Sequence, residues 1–329
     1  MPRVVLTARL PGDVAGILAG HDLVGPSAAE GSWPRARWLA ELPAADALIC
    51  LLTDHVDADV LDRASRLRVI ANYAVGFDNI DRAAAAARGI LVANTPDVLT
   101  EATADLAFAL LLAAARRLGE GERLLRSGGW HGWSPGLLHG VEVHGQTLGI
   151  VGLGRVGRAV ARRAHGFGMT IVASGHADRA PDVRDAPGIT PLPLDELLAR
   201  ADFVSLHTPL TAATRHLIDA RALARMKPTA VLVNTARGEV VDEAALADAL
   251  ERGHLAGAGL DVFANEPHVD PRLLAAPRLV LLPHLGSATA GARARMGELC
   301  ASAVAAVLRG ERPPNLVPPP AARPAEARA

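Results

Sequence analysis

A chain of 329 residues has room for two ordinary domains, and with half of its residues hydrophobic it can fill a core in each. Lysine and arginine number 34 against 35 acidic residues, so no global field draws it to nucleic acid or to an anionic membrane. The two cysteines, Cys50 and Cys300, stand in apolar runs with no metal or redox spacing, which reads as two buried thiols in a reducing cytoplasm and no metal site.

The opening MPRVVLTARL looks like a first strand and lacks the apolar core and cleavage site of a signal peptide. As far as about Asn94, short apolar runs alternate with helical segments. Strands are predicted at Val4–Thr7, Ala47–Leu51, Arg68–Ala71 and Ile90–Val92. One long helix is predicted from Thr100 to Ser127. It contains the most apolar run, Leu106–Ala115, which is half the length of a membrane span and reads as a buried helix. Gly128-Gly129 ends that helix, and a Trp/Gly/Pro loop runs from Trp130 to Gly140. A more regular series of strands follows at Leu148–Val151, Thr170–Ala173, Phe203–Leu206, Val231–Asn234, Gly257–Leu260 and Leu279–Leu282. Alternating βα units with apolar strands imply an α/β fold with doubly wound parallel sheets. A last helix is expected from about Ser287 to Leu308, followed by a Pro-, Ala- and Arg-rich tail.

The first chemical signal is Gly152-Leu153-Gly154-Arg155-Val156-Gly157. It follows the apolar strand LGIV and opens a helix with Val156, Val160, Ala164 and Phe167 on one face and Arg155, Arg158 and Arg162 on another. That is the setting of a dinucleotide fingerprint. Gly152 permits the tight turn, Gly154 lets backbone approach a pyrophosphate, Gly157 lets helix and strand pack, and the helix N-terminus offers amides to the phosphates. A glycine turn in a nucleotide-free α/β domain is the alternative. The next strand, TIVA, ends Ser174-Gly175-His176-Ala177-Asp178-Arg179. No acid stands at its tip, where NAD-preferring domains place one about 20 residues after the first glycine. Ser174, His176 and Arg179 can instead contact a 2′-phosphate. NADP(H) is therefore expected to be preferred, with NAD(H) use possible if Asp178 folds back onto the ribose.

Ligands of open parallel sheets bind beyond the carboxyl ends of the strands. The strands here end in polar residues: His207-Thr208-Pro209, Asn234-Thr235-Ala236-Arg237-Gly238, Asp261 and His284. Any one could be a solvated turn residue or a satisfied core histidine, but together with the glycine loop they point to one site. Arg237, Glu266 and His284 form a set suited to reducing a 2-keto acid. Arginine can hold a carboxylate in a bidentate fork, histidine can protonate the carbonyl oxygen near neutral pH, and a carboxylate favours the imidazolium. A surface turn is the alternative for Glu266-Pro267. Trp130 and Trp133 in the Gly/Pro-rich loop suggest a homodimer interface, against the alternative of local packing.

The segment MKPTAVLVNTARGEVVDEAALADALERGHLAGAGLDVFANEP at Met226–Pro267, PHLGSAT at Pro283–Thr289 and GLGRVG together resemble the D-isomer-specific 2-hydroxyacid dehydrogenase family over nearly the whole chain. The resemblance implies two similar α/β domains with the cofactor domain inserted into the substrate domain. The substrate domain would be 1–95 plus 290–315 and the cofactor domain 96–289, with 316–329 a disordered tail. It also implies that Arg237 binds the substrate carboxylate and carbonyl, that His284 is the acid/base, and that Glu266 is its partner. The backbone at Val75 and Gly76, in NYAVGFDNID, would hold the carboxylate. Asp261 would lie on the nicotinamide side and Thr103 at the phosphates, with His207, Thr208, Pro209, Thr235, Ala236 and Gly286 completing the cofactor cleft. LICLLTDHVD at Leu48–Asp57 and GGWHGWSP at Gly128–Pro135 are similar to the glyoxylate/hydroxypyruvate reductase branch. There the tryptophan corresponding to Trp133 reaches the neighbouring subunit's site, and NADPH-using members carry a similar small-Gly-basic run at the strand tip. The expected activity is reduction of a small 2-keto acid to the D-2-hydroxy acid. Alternatives are another D-2-hydroxyacid dehydrogenase, of phosphoglycerate or D-lactate type, and a cofactor-sensing corepressor-like binding protein. Phosphite oxidation is disfavoured, since those relatives place a lysine where Val75 stands.

Overall fold

The computed structural model describes residues 1–175 and 188–320. The chain forms two compact units, Met1–Leu99 with the segment from Ala288 onward, and Thr100–Ser287.

The first unit is built on β1 (Arg3–Leu6), β2 (Asp22–Val24), β3 (Ala47–Leu51), β4 (Val69–Tyr73) and β5 (Leu91–Ala93). They form one parallel sheet in the order β2-β1-β3-β4-β5. Alternate side chains go to opposite faces, as the pleat requires. Val5, Leu48, Cys50 and Ile70 pack with Trp38, Leu61 and Ala85 from the short helices Arg35–Glu41, Ala58–Asp62 and Arg82–Ala87. Val4, Ile49, Val69 and Ala71 pack on the other face with Met296, Cys300 and Val304 of the helix Ala290–Leu308. Both cysteines are buried, and burial pushes each thiol well up from its ordinary range. The Thr289 hydroxyl accepts from the Ala292 amide and caps the closing helix, whose first residue, Ala290, is three beyond the expected start.

Leu316 and Val317, expected in the tail, pair with β5. Leu316 bridges Ala93, and the Val317 amide donates to the Val92 carbonyl. Val317 is buried and Leu316 partly so, whereas Pro318 has no N–H to give the ladder.

The second unit carries β6 (Thr147–Val151), β7 (Thr170–Ser174), β8 (Ile189–Pro191), β9 (Phe203–Leu206), β10 (Val231–Asn234), β11 (Gly257–Leu260) and β12 (Leu279–Leu281). All are parallel, in the order β12-β11-β10-β9-β6-β7-β8. Val204, Leu206 and Leu232 bury against Leu197, Leu223 and Leu250 on one face. Leu148, Ile150, Phe203 and Val233 bury against Leu110, Leu111 and Val160 on the other. Each such side chain contributes roughly 1.5–3 kcal/mol by leaving water. Because the chain begins this sheet at β6 and then builds outward in both directions, the strand ends diverge between β6 and β9, where such sheets take their ligands.

The long helix expected over Thr100–Ser127 is two helices, Thr100–Ala115 and Leu118–Arg126. The Ala115 carbonyl accepts from the Val141 amide, and Arg117 turns into the left-handed region at φ 54°, its guanidinium bonded to Glu120. Among the described residues no helix is long and apolar enough to cross a membrane.

Candidate active site

Gly152 lies at φ 96°, a left-handed conformation that disfavours any residue with a Cβ. A Cβ there would also come within 2.7 Å of the His207 carbonyl oxygen. The Gly152 amide donates to the Ser174 carbonyl, and the His207 amide to the Val151 carbonyl, so the ends of β6, β7 and β9 are laced together. Gly154 caps the helix Arg155–His165. A Cβ on Gly157 would come within 2.3 Å of the Gly152 carbonyl oxygen, so the helix can start this close to the turn only with glycine there. Leu153 is buried in the core and can offer a ligand only its backbone; Val156 packs at the core margin. His176 and Arg179 lie outside the described residues.

His207 bonds through Nε2 to the Ser205 hydroxyl at 2.8 Å, and desolvation lowers its pKa to about 4. A neutral imidazole therefore sits at the end of β9. Thr208 and Pro209 follow it, the Pro209 carbonyl accepting from the Thr214 hydroxyl. At the end of β10 the Thr235 hydroxyl is buried and, among the described residues, has no partner. A polar atom left in that state costs free energy unless a ligand satisfies it. The tight glycine turn and this hydroxyl both fit a dinucleotide laid across the strand ends.

Arg237 follows directly. Asn234 shapes its loop, accepting from the Ala236 amide and donating to the Arg237 carbonyl. Gly238 then packs so closely on the segment after β11 that a Cβ would overlap the Phe263 carbonyl carbon at 1.9 Å. This contact brings the Arg237 loop against the segment carrying Glu266. Glu266 Oε1 accepts from the Phe263 amide at 3.0 Å, and Oε2 lies 2.7 Å from His284 Nδ1. Burial raises the Glu266 carboxyl, but its hydrogen bond to His284, the charges of His284 and Arg237 and the Phe263 amide outweigh that and leave it below the usual range. Arg237, Glu266 and His284 thus come together.

His284 itself has φ 54°, unusual for a residue with a full side chain. Its amide bonds to the carbonyls of Asp261 and Leu282. The buried Asp261 carboxylate accepts from the Leu285 and Gly286 amides at 2.6 and 2.7 Å, and the Thr103 hydroxyl donates to the Gly286 carbonyl. In this structure, therefore, the side chains of Asp261 and Thr103 hold the turn that carries His284.

Glu243 was not singled out in the sequence. It accepts from the Ala264 amide at 2.8 Å, and burial raises its carboxyl. As an acid in the first turn of the helix Glu243–Glu251 it reads from sequence as a dipole partner, so nothing local marked it. Val75 and Gly76 belong to the first unit, on the loop after β4, with Val75 exposed. Trp133 is 81% exposed and Trp130 49%, both in the loop after the helix Leu118–Arg126. No group of His, Cys, Asp or Glu that could hold a metal occurs among the described residues.

Residues 108–286 match the model of the D-isomer specific 2-hydroxyacid dehydrogenase, NAD binding domain. A glyoxylate reductase of Thermococcus onnurineus is 48% identical over 320 residues, 96% of each chain. One from Korarchaeum cryptofilum is 54% identical over 83% of this chain and 82% of its own. Among solved structures, the TT0316 protein of Thermus thermophilus has a TM-score of 0.88 at 47% identity, covering 96% of this chain and all of its own. An NADPH-dependent glyoxylate/hydroxypyruvate reductase of Sinorhizobium meliloti, in complex with NADP and malonate, has a TM-score of 0.85 at 36% identity over 96% of each chain.

Proposed function

Since the chain belongs to the D-isomer-specific 2-hydroxyacid dehydrogenase family, we propose that it reduces glyoxylate and hydroxypyruvate to the corresponding 2-hydroxy acids, with NADPH preferred over NADH. The bound nicotinamide would supply the hydride. The observation that carries the reading is the 2.7 Å pair of Glu266 and His284 beside Arg237. Because Nδ1 faces Glu266, the His284 Nε2 is the atom left to give a proton to the substrate oxygen. Glu266 holds the ring so that Nε2 faces away from it. Arg237 takes the substrate carboxylate and carbonyl, and the amides of Val75 and Gly76 take the carboxylate. Gly152 to Gly157, Ser174, Gly175, Thr208 and Thr235 line the cofactor cleft, with Asp261 and Thr103 as the residues that keep the Gly286 turn in place.

The substrates for which the relatives are named support this choice of keto acid, and the NADP complex of the Sinorhizobium meliloti enzyme supports the phosphorylated cofactor, as does a serine rather than an acid at position 174. We also propose a cytoplasmic homodimer with the exposed Trp133 in its interface. The test is a panel of 2-keto acids with each reduced cofactor. Efficient turnover of glyoxylate or hydroxypyruvate with NADPH is expected. A tenfold preference for NADH, or activity confined to other keto acids, overturns the reading.

A further inference from the structure

The loop after β4 is gripped by its carbonyls. The Ala74 carbonyl accepts from the Thr95 amide at 2.9 Å, the Val75 carbonyl from Asn94 Nδ2 at 2.7 Å, and the Gly76 carbonyl from Asn72 Nδ2 at 2.7 Å. In a trans peptide the N–H points opposite to the C=O of the same unit. Each of these bonds therefore turns the following amide, those of Val75, Gly76 and Phe77, away from its clamp. None of the three amides donates to another group among the described residues.

The clamps are themselves secured. Asn72 is fully buried and exchanges amide hydrogen bonds with Asn79, which also donates to the carbonyls of Leu51 and Asp54. Asn94 is held along its backbone by Asn315: its amide donates to the Asn315 carbonyl, and Asn315 Nδ2 donates to the Asn94 carbonyl. Three consecutive amides with no internal acceptor among the described residues, on a loop whose carbonyls are held, are donors available to an anion.

We infer that Asn94 and Asn72 are positioning residues that aim the Val75, Gly76 and Phe77 amides at the substrate carboxylate. The inference rests on the reductase reading above. It adds a functional reason for two side chains that touch no substrate, and it makes Phe77 a third donor.

Asn94→Asp tests it, because it keeps the shape while replacing the donor by a group that repels the Val75 carbonyl. The measurements are KM and kcat for glyoxylate, inhibition by oxalate, NADPH affinity and the thermal midpoint, with Asn94→Ala as the uncharged companion. For both variants KM and the oxalate inhibition constant should rise together by about tenfold while kcat changes less than about threefold, the pattern of lost uniform binding. NADPH affinity should not move. Unchanged KM in active variants overturns the positioning role and leaves the reductase reading standing. Parallel loss of NADPH affinity and thermal midpoint makes Asn94 merely structural and also overturns it. A parent enzyme inactive on both keto acids overturns the reductase reading and this inference with it.

Discussion

Each unit's sheet reverses direction beside its first strand, β1 in one and β6 in the other, yet the two crevices are furnished differently. After β6 the chain turns at Gly152 and enters an eleven-residue helix at once, leaving amides and a helix dipole at the strand ends. After β1 it wanders from Thr7 to Asp13 before a helix of only four residues. There the Thr7 hydroxyl donates to Asp54, whose carboxylate also accepts the Leu51 amide. A fixed acid thus stands in the first unit where a phosphate would have to come. The crevice is a property of topology, but its occupant is chosen by glycines, helix length and the charge of two or three side chains. In the first unit what remains for an anion is backbone, on the β4 loop; in the second it is side chains, at the ends of β10 and β12.

That contrast can be broken most sharply at Arg237. Arg237→Lys keeps the charge and loses the planar fork. Catalytic efficiency should fall by at least about a hundredfold, on the order of 3 kcal/mol, in steady-state assays with glyoxylate. Near-normal turnover would remove Arg237 from the chemistry. Gly152→Ala should make the second crevice as unreceptive as the first, since the new Cβ meets the His207 carbonyl at a strained φ. A loss of cofactor affinity of about tenfold or more is expected by fluorescence titration, and unchanged affinity would deny the turn its role. Glu266→Gln removes the carboxylate that holds the His284 ring through Nδ1. Catalytic efficiency with glyoxylate should fall by about tenfold while NADPH affinity is kept, and unchanged turnover would disconnect the pair.

The smallest effect concerns His207, whose pKa of about 4 in the folded chain lies below the ordinary 6.5 because burial disfavours its charged form. The unfolded chain takes up that proton as pH falls through 6.5, while the folded chain resists until about pH 4. Its contribution is therefore nil above 6.5 and increasingly destabilising below, by at most about 3 kcal/mol. His207→Gln should flatten the decline in thermal midpoint between neutral and mildly acidic pH. An identical decline would place the acid sensitivity elsewhere.

What could be read from the sequence was whatever carries its own pattern. Strands β3, β9, β10 and β11 lie where their apolar runs put them, while β4 and β5 are displaced by one or two residues. The unanticipated β2 and β8 are three-residue edge strands with little burial, and Pro191 ends the second. Their order comes from one neighbouring ladder, which no local run announces. The helix break at Arg117 has the same character, because its cause is the Val141 amide more than twenty residues on. In the proposed site, Arg237, Glu266 and His284 could be named because their types and their places near strand ends already suggest chemistry. Asn72, Asn94 and Glu243 act through backbone groups met only after folding, and as residue types they are unremarkable.

The split of the first unit across the chain sets an order of assembly. Residues 100–287 are contiguous and hold both cores of their own sheet, so they can close as soon as they leave the ribosome. The first ninety-nine residues emerge earlier but lack Met296, Cys300 and Val304, which cover one face of their sheet, and Leu316 and Val317, which finish its edge. During synthesis that half-covered sheet must wait for nearly two hundred residues. It is the long-range, late contact of the fold, and the nascent chain's exposure to chaperones and to aggregation should be concentrated there.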